Sequence, residues 1–184
     1  YNTDMKRCKW VDEKSKIYIQ YHDTEWGVPS YDDAYLFEML ILESFQAGLS
    51  WITILNKREN FRKAFDQFDY VKISQYNDDK INELMCNKGI IRNKLKIKAA
   101  INNARIFMNI QKEFDSFSNY IWGFTDYKII KNEDDQIKTT SNLSDQVSLD
   151  LKRRGMKFVG STIIYSYLQA IGIINDHEKD CELY

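Results

Sequence analysis

Residues 88–93 read Lys88-Gly89-Ile90-Ile91-Arg92-Asn93, and helical periodicity runs up to them from one side and away on the other. The first helix is expected over residues 79–86. The second is long, residues 94–113, with Leu95, Ile97, Ala100, Ile101, Ala104 and Met108 turned inward. Helix, tight turn, helix is the outline of a helix–hairpin–helix. Gly89 can adopt a positive φ at low cost. The turn's N–H groups and the following helix N-terminus would then point toward a phosphate. Lys88, Arg92, Lys94 and Lys96 would supply charge around it, while Ile90 and Ile91 anchor the turn. Common hairpins of this class carry two glycines two apart, and here only Gly89 is present. An ordinary corner between two helices, its lysines in water, therefore stays open.

Outward from the hairpin, the pattern remains helical. Residues 33–47 place Leu36, Phe37, Leu40, Ile41 and Ser44 on one stripe, ended by Gly48. Ser50 is expected to cap the next helix, through Trp51, Ile54, Leu55 and Phe61 to about residue 68. Asp69 and Asn77 are further caps, for short helices over residues 71–76 and 79–86. Another helix is expected over residues 117–124. Residues 125–141 are polar and aperiodic, which predicts a loop. Ser144 is expected to cap a helix stopping at Gly155, and Ser161 or Thr162 to open an apolar helix over residues 163–171, closed by Gly172. One proline, Pro29, and seven glycines fit short connections. The expected fold is all-α, a compact helical array forming one domain over residues 1–184.

Composition excludes several classes. The chain is 43% hydrophobic and 29% charged, ordinary values for a globular protein with a substantial core. No apolar run approaches the ~18 residues of a membrane-spanning helix, so no membrane role is expected. Three cysteines, an odd number, do not describe a disulfide framework. With no signal-like start, they suit a reducing cytoplasm. Met5, after Tyr1-Asn2-Thr3-Asp4, is the expected initiator. The net charge of −1 gives no global argument for nucleic acid, but its distribution is uneven. Residues 88–98 hold five basic groups and no acid, and Lys152, Arg153, Arg154 and Lys157 add more. Acids gather instead at Glu133, Asp134 and Asp135. A local basic face is what phosphate contact needs, although solvated helix faces look the same.

Two Cys/His pairs sit at opposite ends: Cys8 with His22, and His177 with Cys181. Together they offer the Cys₂His₂ donor set of a closed tetrahedral zinc site. Ordinary buried thiols and histidines are the other reading. Residues 10–51 also gather Trp10, Tyr18, Tyr21, Trp26, Tyr31 and Trp51 around an acid, Glu43, on an otherwise apolar helix stretch. Such a carboxylate must be hydrogen-bonded, paired or facing a cavity. Aromatic walls with one acid suit a flat, electron-poor or cationic ring. Core aromatics with an exposed glutamate would read similarly.

These residues taken together resemble the 3-methyladenine DNA glycosylase I family, over nearly the whole chain from Met5 to Cys181. The strings that carry the resemblance are Arg7-Cys8-Lys9-Trp10, Tyr21-His22-Asp23-Thr24-Glu25-Trp26-Gly27-Val28-Pro29, and Leu42-Glu43-Ser44-Phe45-Gln46-Ala47-Gly48-Leu49-Ser50-Trp51-Ile52-Thr53. Gly89-Ile90-Ile91-Arg92, Lys157-Phe158-Val159-Gly160-Ser161-Thr162, Asn175-Asp176-His177 and Cys181 complete them. The resemblance implies a helix–hairpin–helix glycosylase, its hairpin within residues 79–113. A structural zinc ion would join segments 5–30 and 172–184 through Cys8, His22, His177 and Cys181. It implies a base pocket of Trp10, Tyr18, Tyr21, Glu43 and Trp51, and DNA contact through Gly89, Ile90, Ile91, Arg92 and Lys94. Cys86 matches no ligand and is expected as a buried thiol. Leu95 stands where relatives can carry glycine. The Cys8–His22 spacing is one residue longer than in the best-known relative.

The implied reaction is excision of 3-methyladenine from double-stranded alkylated DNA by a monomeric enzyme of the bacterial cytosol, at the nucleoid when acting. Glu43 would accept a hydrogen bond from the flipped base, with Tyr18 and Tyr21 positioning both through their hydroxyls. No lysine is assigned as a Schiff-base nucleophile, so excision without strand cleavage is expected. Two other classes compete: a non-catalytic damage-sensing module that uses the hairpin alone, and a zinc deaminase. The latter lacks its His-x-Glu and Pro-Cys-x-x-Cys signature here.

Overall fold

The computed structural model describes residues 5–131, 133–134 and 136–184; Tyr1 to Asp4 and the expected acid Asp135 lie outside the described residues. Nine α-helices are found among them: α1 (Lys16–Thr24), α2 (Asp33–Gln46), α3 (Trp51–Ala64), α4 (Tyr70–Ser74), α5 (Asp78–Met85), α6 (Lys94–Phe114), α7 (Phe117–Gly123), α8 (Asn142–Arg153) and α9 (Ser161–Ala170). The all-α expectation needs one small amendment. Two-residue strands β1 (Ile130–Lys131) and β2 (Ile174–Asn175) pair in parallel, joining the long loop to the chain's last segment. None of the described helices is long and apolar enough to cross a membrane.

Helix α2 lies at the centre. Every residue from Leu36 to Phe45 is buried, because α3, α6, α7 and α9 all pack against it. A helix enclosed on all sides loses its polar face. Phe37, Phe45, Phe61, Phe65, Phe107, Phe117, Trp122 and Tyr167 fill the space around it, and one hydrophobic cluster reaches from Cys8 to Cys181. Each such side chain contributes roughly 1.5–3 kcal/mol on burial.

Capping sets most helix starts. Asp69 accepts from the N–H groups of Val71 and Lys72, Asn77 from Lys80, and Asn93 from Lys96. Three details differ from expectation. Ser50 precedes α3 without a capping bond and instead contacts the Thr53 hydroxyl at 2.7 Å. The cap of α8 is Ser141, with Ser144 as its reciprocal partner three residues on. Helix α3 ends at Ala64 rather than near residue 68, because Asp66, Gln67 and Phe68 turn left-handed. Helix α1, capped by Ser15, had no periodic signal: its inner face is spent on aromatic and polar groups.

Two residues expected inside are outside. Leu95 is 70% exposed, because the second position of α6 faces solvent beside the hairpin. Cys86, which follows the last turn of α5, is an exposed free thiol. Gly172 shows why the end of α9 needs glycine. Its φ is +83°, and a Cβ would sit 2.2 Å from the Val28 carbonyl carbon and the Pro29 nitrogen. That close approach lets Gly27 donate to Gln169 O and Ser30 to Ile171 O, fixing residues 27–30 against α9.

Candidate functional site: an aromatic cavity backed by a Cys/His cluster

Helix α1 splits its duties between consecutive residues. Tyr21 turns toward a cavity and His22 toward a cluster of ligand-type side chains. The cavity, about 250 Å³, is lined by Trp10, Tyr18, Tyr21, Trp26, Glu43, Gln46, Trp51, Ser166 and Gln169, with Ile137 and Lys138 at its edge. All five expected pocket residues are therefore brought together. The aromatic rings meet at their edges: Trp10 lies 5.1 Å from Tyr18 and 4.9 Å from Trp26, and Tyr21 lies 5.4 Å from Trp51, between ring centroids. The volume lies below the ~300–1,000 Å³ of drug-sized sites, so it fits one small ring system.

The polar atoms in this wall are conspicuously unpaired. Glu43 is 2% exposed, and its Oε2 has no hydrogen-bond partner. The indole N–H groups of Trp10 and Trp51 are likewise buried without acceptors. Burial raises the Glu43 carboxyl well above the usual carboxylate range. Neither tyrosine hydroxyl hydrogen-bonds Glu43 among the described residues, so the expected orienting bonds are absent. A second buried acid on α2, Glu38, provides the contrast: Arg58 donates to it at 3.0 Å and Arg62 at 2.5 Å. The fold can supply cations to a buried carboxylate, and at Glu43 it does not. A larger cavity of about 480 Å³ lies against Arg58, Arg62, Glu25 and Glu59, where the charges pair among themselves. Arg58 Nε is also buried without a partner there, but only the smaller cavity holds an acid with no cation, which favours it as the recognition site.

The Cys/His cluster stands directly behind the aromatic wall. Cys8 Sγ, His22 Nε2 and Cys181 Sγ offer ligand atoms within 4.8 Å of one another. His177 adjoins them, its ring 5.0 Å from that of His22, and its buried Nε2 has no partner. Both histidines have Nδ1 already engaged, His22 with Asp23 at 2.8 Å and His177 with Asn175 at 2.6 Å. His177 Nε2 is then without a partner, and His22 Nε2 has only long contacts, to Cys8 N at 3.5 Å and Cys181 Sγ at 3.6 Å, so both could turn to a metal ion. Asp23 is gripped in turn by Arg7, at 2.9 Å to Oδ1 and 2.7 Å to Oδ2. Burial lowers both histidines, His177 to about 4, so they stand neutral as ligands must. Burial also pushes the Cys8 thiol up to about 12, a cost that only an adjacent cation would reverse. The residues fit a closed four-donor site, with three of them already gathered. Trp10 and Trp26 border both sites: Trp10 packs 5.4 Å from His22, and Trp26 4.6 Å from His177.

The hairpin differs from expectation in how it uses its glycine. Gly89 does not lie in the left-handed region. Its missing side chain accommodates Asn60 of α3 instead, whose Cγ would sit 3.0 Å from a Cβ. Asn87 Oδ1 accepts from the Gly89 N–H at 2.8 Å and closes the turn. Ile90 is buried and Ile91 half-buried, while Lys88, Arg92 and Lys94 are exposed. Lys57 joins Lys88 and Arg92 along a shallow groove. Lys96 does not belong to this face, being buried. Of the second basic segment, Arg153 and Arg154 are occupied by Asp150, and Arg154 also by Glu113.

Sequence reasoning missed Gln46, Ser166, Gln169, Ile137 and Lys138. Gln46 was accessible, one helical turn beyond Glu43. Ser166 and Gln169 share a face of α9 but carried no distinguishing signal, and the loop residues carried none.

The chain is thus a helical array with a bare buried acid in a ring-sized aromatic cavity and an exposed basic turn on the same body. Comparison with known proteins narrows this description. A family profile described as methyladenine glycosylase matches residues 10–184. DNA-3-methyladenine glycosylase 1 of Escherichia coli (strain K12) is 45% identical over 183 residues, covering 98% of this chain and 97% of that one. The DNA-3-methyladenine glycosylase of Haemophilus influenzae is 44% identical over 178 residues, covering 95% and 96%. A crystal structure of 3-methyladenine DNA glycosylase I superposes with a TM-score of 0.93 at 45% identity, covering 97% of this chain and 99% of that one. A Staphylococcus aureus structure reported for its basis of 3-methyladenine recognition superposes at 0.88 with 38% identity, covering 92% of each chain. The chain belongs to the methyladenine glycosylase family.

Proposed function

We propose that the protein is a DNA glycosylase that captures 3-methyladenine flipped out of alkylated double-stranded DNA and hydrolyses its glycosidic bond. The observation that carries this reading is Glu43: a buried acid without a cation, facing a ring-sized cavity whose two tryptophan N–H groups are also unpaired. With the cavity empty, burial favours the protonated carboxyl. A positively charged methylated ring alongside favours the carboxylate, which then accepts from the base's exocyclic amine. Flipping costs a few kcal/mol, least for a damaged base. The bond from sugar C1′ to the base nitrogen breaks with its electron pair leaving on the base, which departs neutral. Water adds its hydroxyl to C1′ and releases a proton, leaving an abasic site. Normal adenine lacks both the charge and the weakened bond.

Arg92, Lys94 and the turn from Gly89 to Ile91 are the proposed backbone contacts, joined by Lys88 and Lys57. Cys8, His22, His177 and Cys181 would hold one zinc ion. Four protein donors leave no place for a metal-bound water, so its contribution is structural. Cys8 lies two residues from Trp10, and Trp26 packs on His177, so the metal site fixes the rear of the base cavity. The proposed enzyme is a monomer of one domain in the bacterial cytosol, and it cleaves no strand, because no lysine is assigned as a Schiff-base nucleophile.

The test is chromatographic. Methylated DNA is incubated with zinc-loaded protein, and the released purines and the strand are followed separately. Selective release of 3-methyladenine with the strand intact is expected. DNA binding without any release would instead establish the damage-sensing alternative.

A further inference from the structure

Lys96 lies on α6 just past the hairpin and is 7% exposed. Its side chain turns away from the basic groove and reaches the end of α2, where Nζ donates to Phe45 O at 2.9 Å and Ala47 O at 2.6 Å. Carbonyls at a helix C-terminus have no partners within the helix, and the dipole there favours a cation. No carboxylate pairs with Lys96 among the described residues. An ammonium buried with only neutral partners is costly, and an apolar chain of similar volume would be cheaper. Its presence therefore calls for a geometric reason.

The carbonyls it holds occupy a decisive place in the chain. Two and four residues before them stands Glu43, the cavity's acid. Immediately after them come Gly48 at φ +79°, exposed Leu49, Ser50 and then Trp51, the cavity's wall. One side chain thus ties the hairpin helix to the turn joining the acid's helix to the tryptophan's helix. A second contact acts in the same sense. Gly89, inside the hairpin, sits flush against Asn60 of α3. The hairpin is seated on the two helices that carry Glu43 and Trp51.

The geometry points to Lys96 as a positioning residue for excision. It holds the turn at residues 47–50 in register with the hairpin, so that DNA seated on the hairpin delivers its flipped base to the cavity beside Glu43. The inference rests on the proposed glycosylase function. It separates two properties that a simple packing role would keep together. Binding of free 3-methyladenine needs only the cavity, whereas excision from DNA needs cavity and backbone site held at a fixed offset. A displacement of about 1 Å at a reacting centre costs on the order of 100-fold in rate.

The experiment compares Lys96→Met and Lys96→Arg with the unaltered zinc-loaded protein. It measures single-turnover excision, DNA affinity, binding of free 3-methyladenine and thermal unfolding. For Lys96→Met, the excision rate should fall about 10- to 100-fold, while free-base and DNA affinities stay within about twofold. Lys96→Arg keeps the charge and the donors and should restore most of the rate. Excision unchanged in Lys96→Met overturns the proposal. So does a parallel fall in excision and free-base binding, which would make Lys96 a packing residue. If Lys96→Met does not fold, the arginine variant decides: folded but slowed beyond tenfold, it also overturns the assignment. Failure of the unaltered protein to release any base would count against the proposed function itself, a separate result.

Discussion

Gly27 and His177 are in contact so close that no side chain could come between them: a Cβ on Gly27 would lie 2.8 Å from the His177 ring carbon Cε1 and 3.0 Å from Nδ1. Gly27 also holds φ at +73°, a region that residues with a Cβ rarely adopt. The ring cannot retreat easily, because Asn175 fixes Nδ1 and Trp26 meets it in a T-shaped contact, 4.6 Å between centroids. Gly27→Ala should therefore destabilise the protein by roughly 1–3 kcal/mol and displace His177 from the ligand cluster. Zinc content and melting temperature check this together. Full metal occupancy with an unchanged melting temperature in Gly27→Ala would show that the contact does not hold His177 in place.

The unpaired state of Glu43 predicts an opposition between stability and function. Its folded-state pKa is raised by burial, so the folded form binds a proton that the unfolded form releases above about pH 4.3. Stability from this group is complete below the unfolded pKa and is lost as pH rises toward the folded one. Glu43→Gln removes the titration. The variant should be more stable than the parent at neutral pH, by about 1–3 kcal/mol, with the advantage shrinking toward pH 4. Excision should fall about 10- to 100-fold, the worth of one hydrogen bond to a charged group. Urea unfolding at several pH values, beside a release assay, measures both. A variant that is less stable and equally active would remove Glu43 from the site.

Glu38 predicts the opposite pH behaviour. Burial alone would raise its carboxyl, but Arg62 and Arg58 outweigh burial and hold it below the usual range. A depressed acid contributes stability above its unfolded pKa of about 4.3, lost as pH falls through the folded value. Arg58 also holds Glu25 at 2.8 Å, tying the end of α1 to α3. Arg58→Met should cost about 3 kcal/mol near neutrality, and the deficit should narrow as pH drops below 4. A deficit independent of pH would indicate lost packing rather than a lost ion pair.

Much of this architecture was legible because local chemistry and burial agree. The expected caps at Asp69 and Asn77 set the starts of α4 and α5, and the turn expected to end at Asn93 does end there, with Asn93 capping α6. The pocket set came from the family resemblance, since core aromatics around an exposed glutamate read equally well from the residues alone; the cavity brings all five together. Errors arose where tertiary contact overrides a local rule. Gly89 read as a positive-φ turn residue, yet its neighbour Asn60, 29 positions earlier, decides its identity. Lys96 read as one more hairpin cation, and only the position of α2's end shows where its charge goes. Leu95 matched the helix period, but a stripe predicted from spacing cannot register that the first two residues of α6 face solvent while Lys96 and Ile97 turn inward.

That distinction between free and committed cations gives the last prediction. Arg92 and Lys94 are exposed and make no ion pair among the described residues, whereas Arg154 is held by Asp150 and Glu113. A cation already neutralised by the protein releases few counterions when DNA binds, so net sequence charge is a poor guide to affinity. Arg92→Ala and Lys94→Ala should each weaken binding to undamaged duplex and reduce the slope of log affinity against log salt by about one. Arg154→Ala should leave that slope nearly unchanged while lowering stability, because it removes the ion pairs to Asp150 and Glu113. Affinity titrations at several salt concentrations resolve the three variants. A loss of slope in Arg154→Ala matching that in Arg92→Ala would move the DNA path off the hairpin and toward α8.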